Sequence, residues 1–148
     1  MKPKLPRLAA RAIILHRDRL LMVNAYPGGT SDLWCVPGGG VHAGQSLPDN
    51  LAREVYEECG VQIAVGDPCL VNEFHDPASG FHQVEIFFRC TLAYPAFPQS
   101  WTDPEGVVVE RRLVGREELQ DLRHKPSSLA VIAWGTGCHY DPLETIVR

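Results

Sequence analysis

The sequence of 148 residues predicts an α/β domain, a mixed β-sheet held between helices. Three observations carry that expectation. Apolar, β-branched runs of strand length recur along most of the chain. Residues 47–59 (LPDNLAREVYEEC) have the apolar period and the end signals of a helix. Residues 126–134 (PSSLAVIAW) form a second helical stretch, with Ser127 or Ser128 near its start. Strand count alone would give only α+β, but a mixed sheet covered by helices on both faces satisfies both patterns.

The elements follow in chain order. Residues 8–15 (LAARAIIL) and 20–25 (LLMVNA) read as two strands of a hairpin around a polar turn at 16–19 (HRDR). Residues 26–32 (YPGGTSD) have loop composition, and 33–36 (LWCV) make a short strand that ends at Pro37 and leads into glycines. Beyond the first helix, 61–65 (VQIAV) and 69–74 (CLVNEF) read as strands separated by Gly66, Asp67 and Pro68. A turn at 76–80 (DPASG) precedes a long strand that begins at Phe81, with FHQVEIFFRCTL at its heart. Residues 94–106 are rich in proline, glycine and polar groups and read as a surface loop. A strand is expected at 107–114, a short helix at 115–122, and a loop or tail at 135–148.

Composition sets bounds on function. The length fits one domain over residues 1–148, large enough to bury a core. A net charge of −4 gives no broad basic surface, so nucleic acid is not an expected partner, although a small basic pocket for phosphates has room to exist. Five cysteines, an odd number with no Cys-x-x-Cys pair, argue against a disulfide framework or a zinc site and favour a reduced, cytoplasmic setting. His42, His75, His82, His124 and His139 lack metal-ligand spacing. Lys2, Lys4 and Arg7 precede no long apolar run, so neither a signal peptide nor a membrane span is expected.

The chemistry gathers at 38–61. Gly38, Gly39 and Gly40 come just before the helix, and Ser46, Pro48 and Asp49 give it a start, with Asp49 in the place of a capping-box glutamate. Gly60 supplies its stop. On a helical wheel Leu51, Ala52, Val55 and Cys59 share one side. Glu54, Glu57 and Glu58 fall on a neighbouring arc with Arg53 at its edge. Glutamates three and four residues apart repel, by about 0.2–0.5 kcal/mol per pair. A divalent cation offsets such repulsion, and Mg²⁺ prefers hard oxygen donors together with waters and substrate phosphates. Three glutamates on a helix are most simply a solvated face. Glycines that permit close backbone approach, set beside them, are what a metal–phosphate site needs.

These residues resemble the Nudix box. That motif is a glycine, five residues, a glutamate, seven residues, then Arg-Glu-aliphatic-any-Glu-Glu-any-Gly-aliphatic, and it maps here onto Gly39, Gln45, Arg53, Glu54, Val55, Glu57, Glu58, Gly60 and Val61. Each defined position fits except Gln45, where the family has glutamate. The resemblance implies an α/β/α sandwich. It also implies Mg²⁺-dependent hydrolysis, with Mn²⁺ as a substitute, of a diphosphate linkage in a nucleoside diphosphate joined to another group. Glu54, Glu57, Glu58 and the Gly39 carbonyl would hold the metal. Glu57, Glu58 and Arg53 would be catalytic, Arg53 by orienting the glutamates. The general base would be Glu58 or a loop carboxylate such as Asp103 or Glu105. Glu85 and Glu110 could also reach the cleft from their strands.

Arg11 and Trp34 are the expected substrate contacts, one for phosphate and one for stacking on a base. Their plainer readings are an outward-facing strand residue and a core tryptophan. Gln45 keeps an acceptor oxygen but lacks the charge of glutamate, which implies weaker metal binding or fewer ions. Within the family, a proline about sixteen positions after the box accompanies ADP-ribose hydrolysis, and Pro77 stands sixteen positions after Val61. Asp76-Pro77 is equally a good turn start. The alternatives are a nucleoside triphosphate pyrophosphohydrolase and a non-catalytic nucleotide-binding domain. A homodimer is open to this chain by the same resemblance.

Overall fold

A computed structural model describes residues 4–26, 31–94 and 110–147. The chain opens with β1 (Arg7–His16) and β2 (Arg19–Asn24), joined by a tight turn at Arg17 and Asp18. Both turn residues have positive φ, 50° and 63°, the twist that suits a two-residue hairpin. Next come β3 (Gly38–Gly40), α1 (Leu47–Cys59), β4 (Ile63–Asp76) and β5 (Phe81–Leu92). The C-terminal part holds β6 (Glu110–Val114), α2 (Arg116–Leu119), α3 (Leu129–Ala133), β7 (His139–Tyr140) and β8 (Glu144–Thr145).

The strands form one mixed sheet in the order β6-β2-β1-β5-β4-β7, with β3 added to β1 and β8 to β4. Its centre is parallel: β1 runs alongside β5 from Arg7↔Gln83 to Ile14↔Cys90. Alternating residues of β1 and β2 face two different cores. Ala10, Ala12, Ile14, Leu21 and Val23 pack with Leu51, Val55 and Cys59 of α1. Ile13, Leu20 and Met22 pack with Leu119, Leu129 and Ile132 from α2 and α3. The sheet therefore lies between helices, as expected, because adjacent strand residues point to opposite sides.

Helix α1 starts and stops where the sequence predicts. Ser46 Oγ accepts the Asp49 N–H at 3.1 Å, and Pro48 occupies the first turn. Gly60 closes the helix at φ 73°, its N–H donating to the Tyr56 carbonyl. Arg111 of β6 donates to the carbonyl of Cys59, a cation at the negative end of the helix dipole.

Other boundaries move. The two strands expected at 61–65 and 69–74 are one strand, β4, which passes Gly66, Asp67 and Pro68 as an irregularity in its pairing with β5. Residues 34 and 35 make only isolated bridges, Trp34 to His124 and Cys35 to Val23, and the glycines themselves form β3. The expected tail is structured in part: β7 and β8 run parallel to β4. Asp141 holds it down, its Oδ2 accepting from Asn72 Nδ2 at 3.0 Å and Ser128 Oγ at 2.6 Å. The second helix shortens to five residues. Most of the expected loop at 94–106 and the start of the strand at 107–114 lie outside the described residues. Among the described residues no helix is long and apolar enough to cross a membrane.

All five cysteines are free thiols, and four of them are buried. Burial pushes Cys69 up to about 11 and Cys90 to about 12. A thiol whose folded value is raised favours folding while protonated. That contribution is complete below the unfolded value near 8.5 and is lost as pH climbs towards 11–12. Stability measured by urea unfolding is expected to fall above about pH 9. At pH 8 in native buffer a thiol reagent is expected to label Cys138 alone. In the core, Leu51→Ala should cost about 2–5 kcal/mol by the same assay.

Candidate functional site

A cavity of about 540 Å³ opens where the β3 glycines meet α1. Its lining includes Gly38, Gly39 and Gly40 together with Glu54, Glu57 and Glu58. Arg7, Arg11, Tyr26, Cys35, His42 and Lys125 complete the polar part of the wall. The residues that sequence spacing put on one arc of the helix thus share one concave surface with the glycine run.

Backbone geometry explains the glycines. Gly38 has φ 149°, a conformation L side chains rarely adopt, and a Cβ there would run into the β1 backbone at Ala10 and Arg11. At Gly39 a Cβ would meet the Glu54 carboxylate about 2.9 Å away. The carboxylate occupies the space that a side chain at 39 would need.

Each glutamate has a different environment. Glu58 is buried, at 8% exposure, and its Oε2 accepts the Gly38 N–H at 3.1 Å. The bond ties the C-terminal part of α1 directly to the glycine strand, and it satisfies one oxygen of a carboxylate that would otherwise be costly to bury. Glu57 accepts from Arg53 Nη1 at 3.3 and 3.4 Å, and Glu54 pairs with the same nitrogen at 3.4 Å. Arg53 therefore offsets part of the repulsion among the glutamates without any bound ion. Its exposure keeps these pairs in the range of about 0.2–1 kcal/mol each. Among the described residues no three acidic, histidine or cysteine side chains converge tightly enough to enclose an ion as they stand. The donor chemistry nevertheless fits a hard cation: three carboxylates share one cavity with the glycine backbone, and they outnumber its single imidazole, His42, and single thiol, Cys35.

Gln45 keeps the role its shape allows. Its Oε1 accepts from Arg53 Nε at 3.4 Å and from Nη2 at 3.3 Å. The arginine is thus held from the glutamine side as well as the glutamate side, through a neutral acceptor in place of a charged one.

Sequence reasoning missed Asn50, which is fully buried. Its Oδ1 accepts the His42 N–H at 3.0 Å and Arg53 Nη2 at 3.1 Å, and its Nδ2 donates to the Gly40 carbonyl at 3.1 Å. It staples the glycine loop to the helix and steadies Arg53. The available signal was an asparagine, a poor helix former, beside Leu51 near the apolar side of the wheel.

The two expected substrate contacts have different surroundings. Arg11 does not face solvent. It turns inward on the cavity, forms an ion pair with Glu85, and directs Nη1 at the carbonyls of Val36 and Gly38, each 3.4 Å away. Burial alone would lower the guanidinium pKa, but the Glu85 carboxylate outweighs it and the net shift is upward. Glu85, at 4% exposure, is this partner. The same burial keeps the neighbouring Cys35 thiol protonated, with Arg11 opposing the shift in part. Trp34 is not among the residues that line the cavity. It is 7% exposed, packs in the core under α2 and α3, and carries the Arg112 guanidinium 5.9 Å from its ring centroid.

Glu110 is exposed at the start of β6. Asp103 and Glu105 lie outside the described residues. Pro77 sits in the β4–β5 turn, where Asp76 Oδ1 accepts the Ala78 N–H at 3.1 Å and Asp76 Oδ2 accepts from Ser79 Oγ at 2.8 Å. The turn accounts for the proline, and Pro77 is not among the residues that line the cavity.

Removing one member of the Arg11–Glu85 pair leaves a buried charge. Glu85→Leu is expected to cost about 3 kcal/mol or more in denaturant unfolding, and adding Arg11→Met in the same chain should recover most of the loss. An additive double-mutant cycle would show that the pair is not coupled.

Comparison with known proteins agrees with this architecture. A family model described as NUDIX domain matches residues 5–135. A mouse diphosphoinositol polyphosphate phosphohydrolase 3-alpha is 32% identical over 116 residues, 75% of this chain and 65% of that protein. The mouse nucleoside diphosphate-linked moiety X motif 6 protein is 23% identical over 79% of this chain and 34% of its own length. The chain spans between about a third and two thirds of the curated relatives it matches. A solved NUDIX hydrolase from Nitrosomonas europaea superposes with a TM-score of 0.73 at 19% identity, covering 88% of each chain. That likeness is one of fold. The match over residues 5–135 and the box at Gly39–Val61 lead to one conclusion: the chain belongs to the Nudix hydrolase family.

Proposed function

We propose that this chain hydrolyses a diphosphate linkage in a nucleoside diphosphate joined to another group, with Mg²⁺ held by Glu54, Glu57, Glu58 and the Gly39 carbonyl. One observation carries the reading: the three glutamates of α1 and the glycine backbone of β3 line a single cavity, with the Glu54 carboxylate packed where a side chain at 39 would stand. When bound, the ion supplies Lewis-acid polarisation of a phosphate oxygen and lowers the pKa of a water.

The chain's own groups do the rest. A phosphoanhydride is densely anionic, and carboxylates alone would repel it, so the site needs a cation between them and the substrate. Arg53 orients Glu54 and Glu57 by its fan of donors, and Gln45 and Asn50 fix Arg53 from behind. Glu58, held by the Gly38 N–H, is the proposed general base, taking a proton from the attacking water. Arg53 binds Glu54 and Glu57 through long contacts of 3.3–3.4 Å. A single functional domain over residues 1–148 is part of this proposal.

For the substrate, we favour a nucleotide sugar such as ADP-ribose over a nucleoside triphosphate. The support is from relatives' names. The mouse protein above is named for nucleoside diphosphate-linked compounds, and a Streptococcus suis protein of the same fold is named an ADP-ribose pyrophosphatase. Hydrolysis of a panel of nucleotide sugars, dinucleotides and triphosphates, with product identification, tests the assignment. Release of a nucleoside monophosphate from a nucleotide sugar is expected, and no Mg²⁺-dependent turnover across the panel would refute it.

Glu57→Gln and Glu58→Gln should each lower kcat/KM at least tenfold, about 1.4 kcal/mol of transition-state stabilisation. Gln45→Glu should shift the Mg²⁺ activation curve to lower concentration. An unchanged curve would show that the neutral acceptor costs nothing in metal binding.

A further inference from the structure

We propose that Arg7 and Lys125 form the anion clamp of this cavity, binding the phosphate oxygens that face away from the glutamates. The inference deepens the function proposed above and rests on its substrate class. It follows from an account of the charges on the cavity wall. Arg11, Arg7 and Lys125 are the cationic side chains of the lining among the described residues. Arg11 is consumed by Glu85. The other two are placed differently.

Arg7 donates from Nη1 to the amide oxygen of Gln83 at 2.6 Å, a neutral partner that fixes the guanidinium without cancelling its charge. Gln83 is 2% exposed, so the anchor itself is rigid. The guanidinium lies across Gly40, in the space a Cβ would take, next to the strand whose neighbouring glycine touches Glu54. A side chain at 40 would push it off the cavity. Its planar fork suits phosphate oxygens in pairs.

Lys125 is anchored by its backbone, whose N–H donates to the Trp34 carbonyl at 3.0 Å. Its ammonium stands 5.4 Å from the Phe74 ring centroid. A cation–π contact of this kind holds the head group but leaves its charge uncompensated. No ion pair to either Arg7 or Lys125 forms among the described residues. Cations with no ion pair among the described residues, at the wall of a cavity that also holds three carboxylates, are arranged for a ligand that carries negative charge and a bound cation together. A metal–diphosphate complex is that ligand. Lys125 also borders a small second cavity with Asn72, Phe74 and Glu85.

The test is calorimetric binding of methylenediphosphonate, a diphosphate that cannot be hydrolysed, to the full chain with and without Mg²⁺. Steady-state kinetics on the best substrate of the panel run beside it. Lys125→Met and Arg7→Gln should each weaken binding at least tenfold in both conditions, and raise KM by a similar factor with kcat within threefold. Lys125→Arg should restore binding to within threefold. The exposed, distant Arg116→Gln should leave it unchanged. Thermal unfolding checks that each variant is folded, and if Arg7→Gln fails that check the Lys125 pair of variants decides the matter. Binding within twofold of wild type in a folded Arg7→Gln or Lys125→Met chain overturns the clamp, as does a wild-type chain that does not bind the probe. The two proposals separate cleanly. Binding losses in a chain with no turnover would sink the hydrolase and keep the clamp. A KM that does not rise in active variants would do the reverse.

Discussion

The structure depends on one close approach, that of the β3 backbone to the acidic face of α1. Glycine at 39 lets the Glu54 carboxylate lie against the chain, and the Gly38 N–H reaches Glu58. The approach works only because both elements are fixed elsewhere. β3 is paired to β1 through Ala9, Ala10 and Arg11, and α1 is seated on the same sheet by Leu51, Val55 and Cys59. A cluster of three carboxylates is unfavourable for the helix that carries it. Burial of the opposite side of that helix, its caps and Arg53 together keep it in place.

Around that contact the polar groups are arranged in layers. Arg53 touches Gln45, Asn50, Glu54 and Glu57, so a single guanidinium joins the loop, the helix interior and the helix surface. Asn50 joins the loop to the helix a second time through His42 and Gly40. Behind them, Arg11 and Glu85 form a paired charge between β1 and β5, under the carbonyls of Val36 and Gly38. Such a pair is a weak source of stability, but it braces the floor of the cavity and is costly to break on one side only. The glycine loop is thus held from below, from the helix and from its own neighbours. That rigidity is what a site working by position and electrostatics requires.

The pattern of charge matters as much as its amount. The chain is acidic overall, and its net charge of −4 says little about the local field in the cavity. There the carboxylates of α1 meet cations delivered by the first strand and by the segment after α2, parts of the chain more than a hundred residues apart. The fold concentrates both signs in one place.

Much of this was legible in the chain. The helix over 47–59, its serine cap, its glycine stop and the three glutamates on one arc follow from local rules that act within a few residues, and tertiary contacts only reinforce them. The sandwich was legible for a similar reason: strand and helix periods differ, and each face must be covered. What the sequence alone could not decide was the fate of its isolated charges and aromatics. Arg11 and Glu85 are 74 residues apart, and only the parallel pairing of β1 with β5 brings them together. Trp34 and Cys35 are adjacent, yet one enters the core and the other faces the cavity, because successive residues of an extended segment point to opposite sides. Local pattern determined α1, its two ends and the chemistry it carries. Long-range strand pairing decided which charges that chemistry meets.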